Sequence, residues 1–150
     1  MIMHHIAILD KKRKLLEKIL SKEKTIESRW YKTKRAPWHA IAENDIVYFK
    51  DCGEPITAVA KVRKVLFFDK LNKEKVLSIL QKYGRDIGFT NLGYMDYYDG
   101  KNYCVLIFLE DVKEVEPFSI SKDGFGNACA WITVNNIEKI ELKKSNRFSS

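Results

Sequence analysis

The sequence predicts an α+β fold built on a curved, antiparallel sheet or a small barrel. Five or six segments show the apolar alternation of strands, and two show the apolar period of helices. Their order lacks the strict strand–helix alternation of a parallel, doubly wound sheet. The chain has 150 residues, the length of one domain, and no linker rich in proline, glycine or serine divides it. We therefore expect one domain over 1–150, with a frayed tail over 143–150.

Four strands and one helix are predicted in the first half of the chain. The segments "MHHIAIL", "TIESRWY", "DIVYFKD" and "ITAVAKVRKVLFF" alternate between apolar and polar residues or are largely apolar, as strands do. In "TIESRWY", alternation places Ile26 and Trp30 on one face and Glu27 and Arg29 on the other. The segment "DKKRKLLEKILS" has the leucine and isoleucine spacing of a helix, with Asp10 as its expected N-cap.

The second half predicts a helix, a central strand and a final strand or two. "NKEKVLSILQKY" (72–83) has helical spacing, with Asn72 as N-cap. "NYCVLIFLEDVKEV" is apolar on both faces at its start, which indicates a position inside the sheet. "ACAWITVNNIEKIEL" predicts the last strand or strands. Residues 84–100, rich in glycine, are expected to be irregular, and the tyrosines of Gly93–Gly100 are expected to cover the barrel or to form a rim over a cleft.

The charge of the chain favours polyanionic partners. The formal net charge is +7, and lysine and arginine are concentrated in the first quarter of the sequence. The stretch "LEDVKEVEPF" (109–118), in the second half of the chain, is acidic instead. A basic face opposite an acidic one is typical of a protein that docks phosphates on one side.

Several classes of protein are disfavoured by the composition. Cys52, Cys104 and Cys129 are odd in number and far apart, so we expect neither a disulfide framework nor a zinc site, but a cytoplasmic protein with free thiols. No apolar run approaches the roughly 20 residues of a membrane span, and the start does not resemble a signal peptide. We expect no metal, no cofactor and no membrane partner.

The stretch "KTIESRWYKTKRAPWH" (24–39) holds the candidate functional residues. Glu27 could accept a hydrogen bond from the amino group of a base, while Lys24 and Arg29 neutralise a phosphate or steady the carboxylate. Trp38, in a polar loop, could stack an unpaired base. The cations that follow, which could track a nucleic-acid backbone, are Lys32, Lys34 and Arg35. A structural ion pair between Glu27 and its basic neighbours is the alternative, and Trp30 is expected in the core.

The motif formed by Lys24, Glu27 and Arg29 resembles the G-x-K-x-x-E-x-R signature of the ASCH domain family. The run "IAENDIVYFKDCGEP", followed by "AVAKVRKVLFF", is similar to the next block of that family. Two positions depart from the pattern, because Lys22 and Asn44 stand where the family usually has glycine. Asn44 tolerates the left-handed backbone conformation that glycine adopts.

This resemblance implies a small PUA-like β-barrel, mixed or antiparallel, with flanking helices. It also implies a cleft near Lys24 and Glu27 that suits a nucleotide or modified base, and RNA as the partner. A few relatives hydrolyse the acyl amide of a modified cytidine or cleave RNA, which would make Lys24 and Glu27 a catalytic acid/base pair. The amidohydrolase relatives have a threonine where this chain has Glu27, and Thr25 lies two positions too early to replace it. Binding of an acidic protein partner is a third possibility.

Overall fold

The computed structural model describes residues 1–89, 96–126 and 129–142. Within them, six strands and two α-helices follow the chain. The strands are β1 (His4–Leu9), β2 (Ile26–Tyr31), β3 (Ile46–Asp51), β4 (Ile56–Phe68), β5 (Tyr103–Phe118) and β6 (Trp131–Val134). The helices are α1 (Leu15–Leu20) and α2 (Lys73–Ile87). No helix in the described part of the chain is long and apolar enough to cross a membrane.

All six strands form one mixed sheet, which curls into a half-barrel. The strand order is β2-β5-β4-β3-β1-β6. β1 and β3 are parallel, and every other neighbouring pair is antiparallel. The predicted α+β class is confirmed, and β5 has a neighbour on each side, as its apolar faces indicate. The edge strands are β2 and β6, so the open side of the half-barrel lies between them.

The first predicted helix is shorter than its sequence pattern. Asp10 caps as expected, since its side chain accepts from the Lys12 amide at 3.0 Å, but it caps a single 3-10 turn over Lys11–Arg13. Lys14 then adopts the left-handed conformation (φ 54°), which interrupts the hydrogen-bond ladder. The α-helix therefore begins only at Leu15.

The second predicted helix is longer than expected. Asn72 is its N-cap, and its side-chain oxygen accepts from the Lys75 amide at 2.8 Å. The helix continues through Gly84 to Ile87 and ends at Gly88, whose φ of +91° suits glycine. The expectation of an irregular segment from residue 84 is thus wrong for its first turn. Residues 90–95, which include part of the Gly93–Gly100 segment, lie outside the described residues.

Three apolar clusters pack on the two faces of the sheet. The largest fills the concave face with residues from five strands and α1, including Ala58, Ala60 and Val62 of β4. A second lies between α2 and the outer face of β2 and β5. Simple alternation along β4 would place Ile56 on the same face as Ala58, but Ile56 packs in the third cluster with Ile6. Against β3, β4 has one extra residue between Ile56 and Ala58, and such a bulge reverses the alternation.

The end of the chain contributes one described strand, β6, rather than two. A 3-10 turn over Ile137–Lys139 follows it, and Ile120 and Glu141 form an isolated antiparallel bridge. The predicted frayed tail, 143–150, lies outside the described residues.

A buried histidine ties β6 to β1 and β3. His5 is fully buried, and its Nε2 lies 2.8 Å from Asp45 Oδ2. Trp131 Nε1 donates to His5 Nδ1 at 3.2 Å, and Thr133 Oγ1 lies 3.0 Å from the same nitrogen. An indole is only a donor, so Nδ1 must be unprotonated and the proton of the neutral ring must lie on Nε2. Protonation would turn Nδ1 into a donor facing the Trp131 N–H.

We expect this network to make the folded protein less stable in acid. Burial lowers the pKa of His5 below its ordinary 6.5, although Asp45 opposes the shift. Because the folded pKa is the lower one, the unfolded chain takes up the proton first, and stability decreases as pH falls below 6.5. Urea unfolding near pH 7.5 and near pH 5.5 measures how much the free energy of unfolding falls in acid. This fall should be smaller in His5→Gln than in the wild type. His39→Gln, which alters an exposed histidine, should keep the wild-type loss.

Candidate functional site

The candidate residues are set along one face of β2. Glu27, Arg29 and Tyr31 alternate with neighbours on the outer face of the sheet, and they pair across to β5 at Ile107, Val105 and Tyr103. Ile107 and Val105 belong to the concave cluster, so this row of polar side chains faces the inside of the half-barrel at its open edge. Trp30, on the opposite face, is 3% exposed and packs against Tyr98, which confirms its predicted place in the core.

Lys24, just before β2, is buried to 2% exposure. Its Nζ donates to the carbonyl oxygens of Ile26 at 2.6 Å and Ile87 at 2.5 Å, and lies 3.6 Å from Glu27 Oε1. Gly88 makes room for this side chain, since a Cβ built there would be 3.5 Å from Lys24 Cδ. Lys24 therefore joins the end of α2 to the start of β2.

Opposite influences act on the pKa of Lys24. Burial lowers the pKa of its ammonium, Glu27 raises it, and Arg29 and Arg13 lower it further. Nζ donates to the two carbonyl oxygens and forms an ion pair with Glu27 Oε1 at 3.6 Å. The carboxylate of Glu27 is thus the group that stabilises the charged form of Lys24.

Glu27 is the one acid among these cations, and it is buried to 3% exposure. Oε1 accepts from the Ser28 amide at 3.0 Å and faces Lys24. Oε2 lies 3.6 Å from Arg29 Nη2, too far for a hydrogen bond, and no described residue donates one to it. A buried carboxylate oxygen without a donor is costly, so this atom is an acceptor that a ligand could satisfy.

Arg29 crosses the open edge of the half-barrel. Nη1 donates to the Ala130 carbonyl oxygen at 3.2 Å, and Nη2 donates to that of Ile8 at 3.4 Å. Its guanidinium lies over the ring of Trp131, 5.1 Å from the centroid. These contacts join β2 to β1, at Ile8, and to Ala130, the residue before β6, across the open side of the half-barrel.

The charges of this cluster do not balance. Lys24 and Arg29 both pair with Glu27, and Arg13 also acts on Lys24. The cluster therefore carries a positive excess in a place where water screens little, and such an excess attracts an anion.

The cleft beside these residues is narrow. Its volume is about 40 Å3, which is room for two or three water molecules rather than a base. Arg13, Phe89, Tyr97 and Tyr98 line it together with Lys24 and Glu27. Tyr98 is buried, whereas Tyr97 is half exposed at the opening. Of the tyrosines of Gly93–Gly100 that the structure describes, Tyr98 covers the core and Tyr97 lies at the rim of the cleft. A base would need the rim to move.

The other predicted residues are spread along the loop after β2. Lys32, Lys34 and Arg35 are exposed. Trp38 is half-buried and contacts the rings of His39, Phe67 and Tyr103 at centroid distances of 4.8, 5.3 and 4.9 Å. Because Tyr103 pairs with the last residue of β2, Trp38 lies about 13 Å along the strand from Glu27. The structure brings Lys24, Glu27 and Arg29 together and leaves Trp38 apart from them.

Arg13 and Trp131 are site residues that sequence reasoning did not single out. Arg13 belongs to a run of lysines in which no member stands out. Trp131 reaches the site through the curl of the sheet, which brings the edge strands β2 and β6 to the open side. No local pattern could have identified it.

Comparison with solved structures identifies the fold of this chain. No protein-family model and no curated protein matches the sequence. Among solved structures, the ASCH protein of Zymomonas mobilis matches with a TM-score of 0.67 and 18% identity over 91% of this chain and 90% of that one. Two point-mutant forms of that protein match with the same TM-score, at 18% and 17% identity, over 91% of this chain and 93% and 91% of theirs. The chain has the ASCH fold.

The two departures from the ASCH motif keep the backbone of glycine. Lys22 has φ 67° and Asn44 has φ 76°, both in the left-handed region. Lys22 therefore adopts the conformation that the glycine of the motif permits, despite its side chain.

We expect Lys24→Met to lower the free energy of unfolding by about 3 to 5 kcal/mol. The two carbonyl oxygens would lose their donor, and Glu27 would lose its ion-pair partner while remaining buried. Lys11→Met is the matched control, because Lys11 pairs with Glu54 at 2.8 Å on the surface. It should leave stability almost unchanged. Urea unfolding measures both variants, and equal losses would contradict a structural role for the buried ammonium.

Proposed function

We propose that this protein is a cytoplasmic RNA-binding domain that accepts a nucleotide, or a modified nucleotide within RNA, beside Lys24 and Glu27. The observation that carries the proposal is the buried cluster of two cations around one carboxylate, whose Oε2 lacks a donor within the described residues. An exocyclic amino group of a base would supply that donor, and an adjacent phosphate would offset the positive excess.

The surface around the cleft supports a polyanionic ligand. Arg13 stands at one side of the cleft, and the exposed cations after β2 continue the positive surface along the strand. The acidic residues of the second half of β5, among them Glu114 and Glu116, line a different groove with Leu20 and Thr57. Cys52, Cys104 and Cys129 are free thiols, which agrees with the proposed cytoplasmic location.

The hydrolase alternative, with Lys24 and Glu27 as acid and base, has weaker support. Lys24 Nζ is buried, donates to two backbone carbonyl oxygens and forms an ion pair with Glu27 at 3.6 Å, so it is poorly placed to give a proton to a substrate. This arrangement suits Lys24 better as a positioning residue for Glu27. Incubation of RNA or acylated nucleosides with the protein, followed by mass spectrometry, would detect turnover if that alternative were correct.

The exchange of the buried carboxylate for an amide tests the binding proposal. We expect Glu27→Gln to weaken binding of a labelled single-stranded RNA about 10- to 100-fold, because a hydrogen bond to a charged acceptor is lost. If the affinity were only electrostatic, removal of a negative charge would strengthen it instead. Fluorescence anisotropy measures the affinity, and log K should fall with log salt by about 0.7 for each phosphate contacted.

Glu23→Gln is the control for this experiment, because it removes the same charge from an exposed position one residue before Lys24. Its affinity for RNA should equal or slightly exceed that of the wild type. An affinity of Glu27→Gln as high as that of Glu23→Gln would argue against base recognition by the carboxylate. Binding to an acidic protein in place of RNA would favour the protein-partner alternative, and pull-downs that resist nuclease treatment would reveal it.

A further inference from the structure

A second cavity lies at the other end of β2. Its volume is about 280 Å3, several times that of the cleft beside Glu27. Tyr31 and Arg35 form one side, and Ala130 and Trp131 form the other, with Ala36 and Cys129 completing the lining. No carboxylate lines it in the described part of the chain, so nothing there repels a phosphate.

This cavity has the lining of a stacking site. The Arg35 guanidinium lies over the ring of Tyr31 at 5.5 Å, and on the other side the Arg29 guanidinium lies over Trp131 at 5.1 Å. Arg35 is exposed and Tyr31 is half-buried, so both can be reached from solvent. Planar guanidinium groups and aromatic rings are the surfaces on which proteins stack unpaired bases.

The row Glu27, Arg29 and Tyr31 connects the two cavities. Glu27 lines the first and Tyr31 lines the second, about 13 Å apart along the strand. Arg29 lies between them, and β2 is an edge strand with no strand paired on its open side in the described sheet. A larger groove near Lys18 and Lys22 is a weaker candidate, since Glu23 and Asp86 line it too.

We propose that the cavity between Tyr31 and Trp131 is a second nucleotide subsite, so that the ligand is a single-stranded oligonucleotide laid along β2 rather than one nucleotide. This proposal rests on the proposed function. One base occupies the cleft at Glu27, and its neighbour along the strand stacks on Arg35 and Tyr31. The positive charge of Arg29, which lies between the two cavities on β2, attracts the phosphate between the two bases.

Binding of ligands of different length tests the proposal. We measure the affinity of the whole protein for a ribonucleoside monophosphate and for a tetraribonucleotide of the same base. The tetranucleotide should bind at least about tenfold more tightly. Arg35→Ala should remove most of that advantage, with a much larger loss of affinity for the tetranucleotide than for the monophosphate. Arg35→Lys, which keeps the charge but not the planar surface, should restore it only in part.

Arg63→Ala is the matched control. Arg63 is also exposed and lies over a ring, that of Phe108 at 5.3 Å, on the other face of the sheet. It should leave both affinities within about twofold of the wild type. Equal losses in Arg35→Ala and Arg63→Ala, or equal wild-type affinities for the two ligands, would overturn the second subsite.

Failure of the subsite and failure of the proposed function give different results. If the monophosphate binds and Glu27→Gln lowers its affinity, the first site is supported, whatever the effect of Arg35→Ala. If the wild type binds neither ligand, the proposed function fails and the second subsite fails with it.

Discussion

A buried lysine and a largely buried arginine share a single buried carboxylate, and the candidate site depends on that unequal pairing. Charges removed from water must be paired, and Glu27 is the partner of both Lys24 and Arg29. Lys24 also receives two carbonyl oxygens, which hold it between α2 and β2. The carboxylate is thus fixed in place by groups that belong to the fold, and the rigidity that recognition needs is already present before a ligand binds.

Arg29 connects this cluster to the closure of the half-barrel. A curled sheet with two free edges needs contacts across the gap, and Arg29 makes them with carbonyl oxygens of Ala130 and Ile8. It stacks on Trp131, whose indole nitrogen is held in turn by His5. The network of His5 and Asp45 therefore holds in place the Trp131 ring on which the guanidinium of Arg29 stacks. Loss of the neutral histidine would loosen both the edge of the fold and the site.

The fold could be read from the sequence where local pattern decides it. Strand alternation gave β1 to β5 nearly in full, and the caps Asp10 and Asn72 are where side-chain chemistry predicts them. The break at Lys14 and the extension of α2 past Gly84 were not predictable, because lysine rarely adopts a φ of 54° and glycine is a poor helix former. The bulge at Ile56 appears only in the pairing of β4 with β3, which the alternation of β4 does not reveal.

The candidate site was predictable only along β2, since alternation alone puts Glu27 and Arg29 on one face. Its opposite wall comes from residues far away in sequence, and pairing of distant edges leaves no periodic signal. The depth of burial was also hidden, because a lysine is almost always exposed and only the carbonyl oxygens of Ile26 and Ile87 explain why Lys24 is not. The burial of Lys24 argues against a site that attracts phosphate by surface charge alone. An exposed basic patch would attract phosphate equally well, whereas a carboxylate held among buried cations adds a directional acceptor. Directional acceptors distinguish one base edge from another.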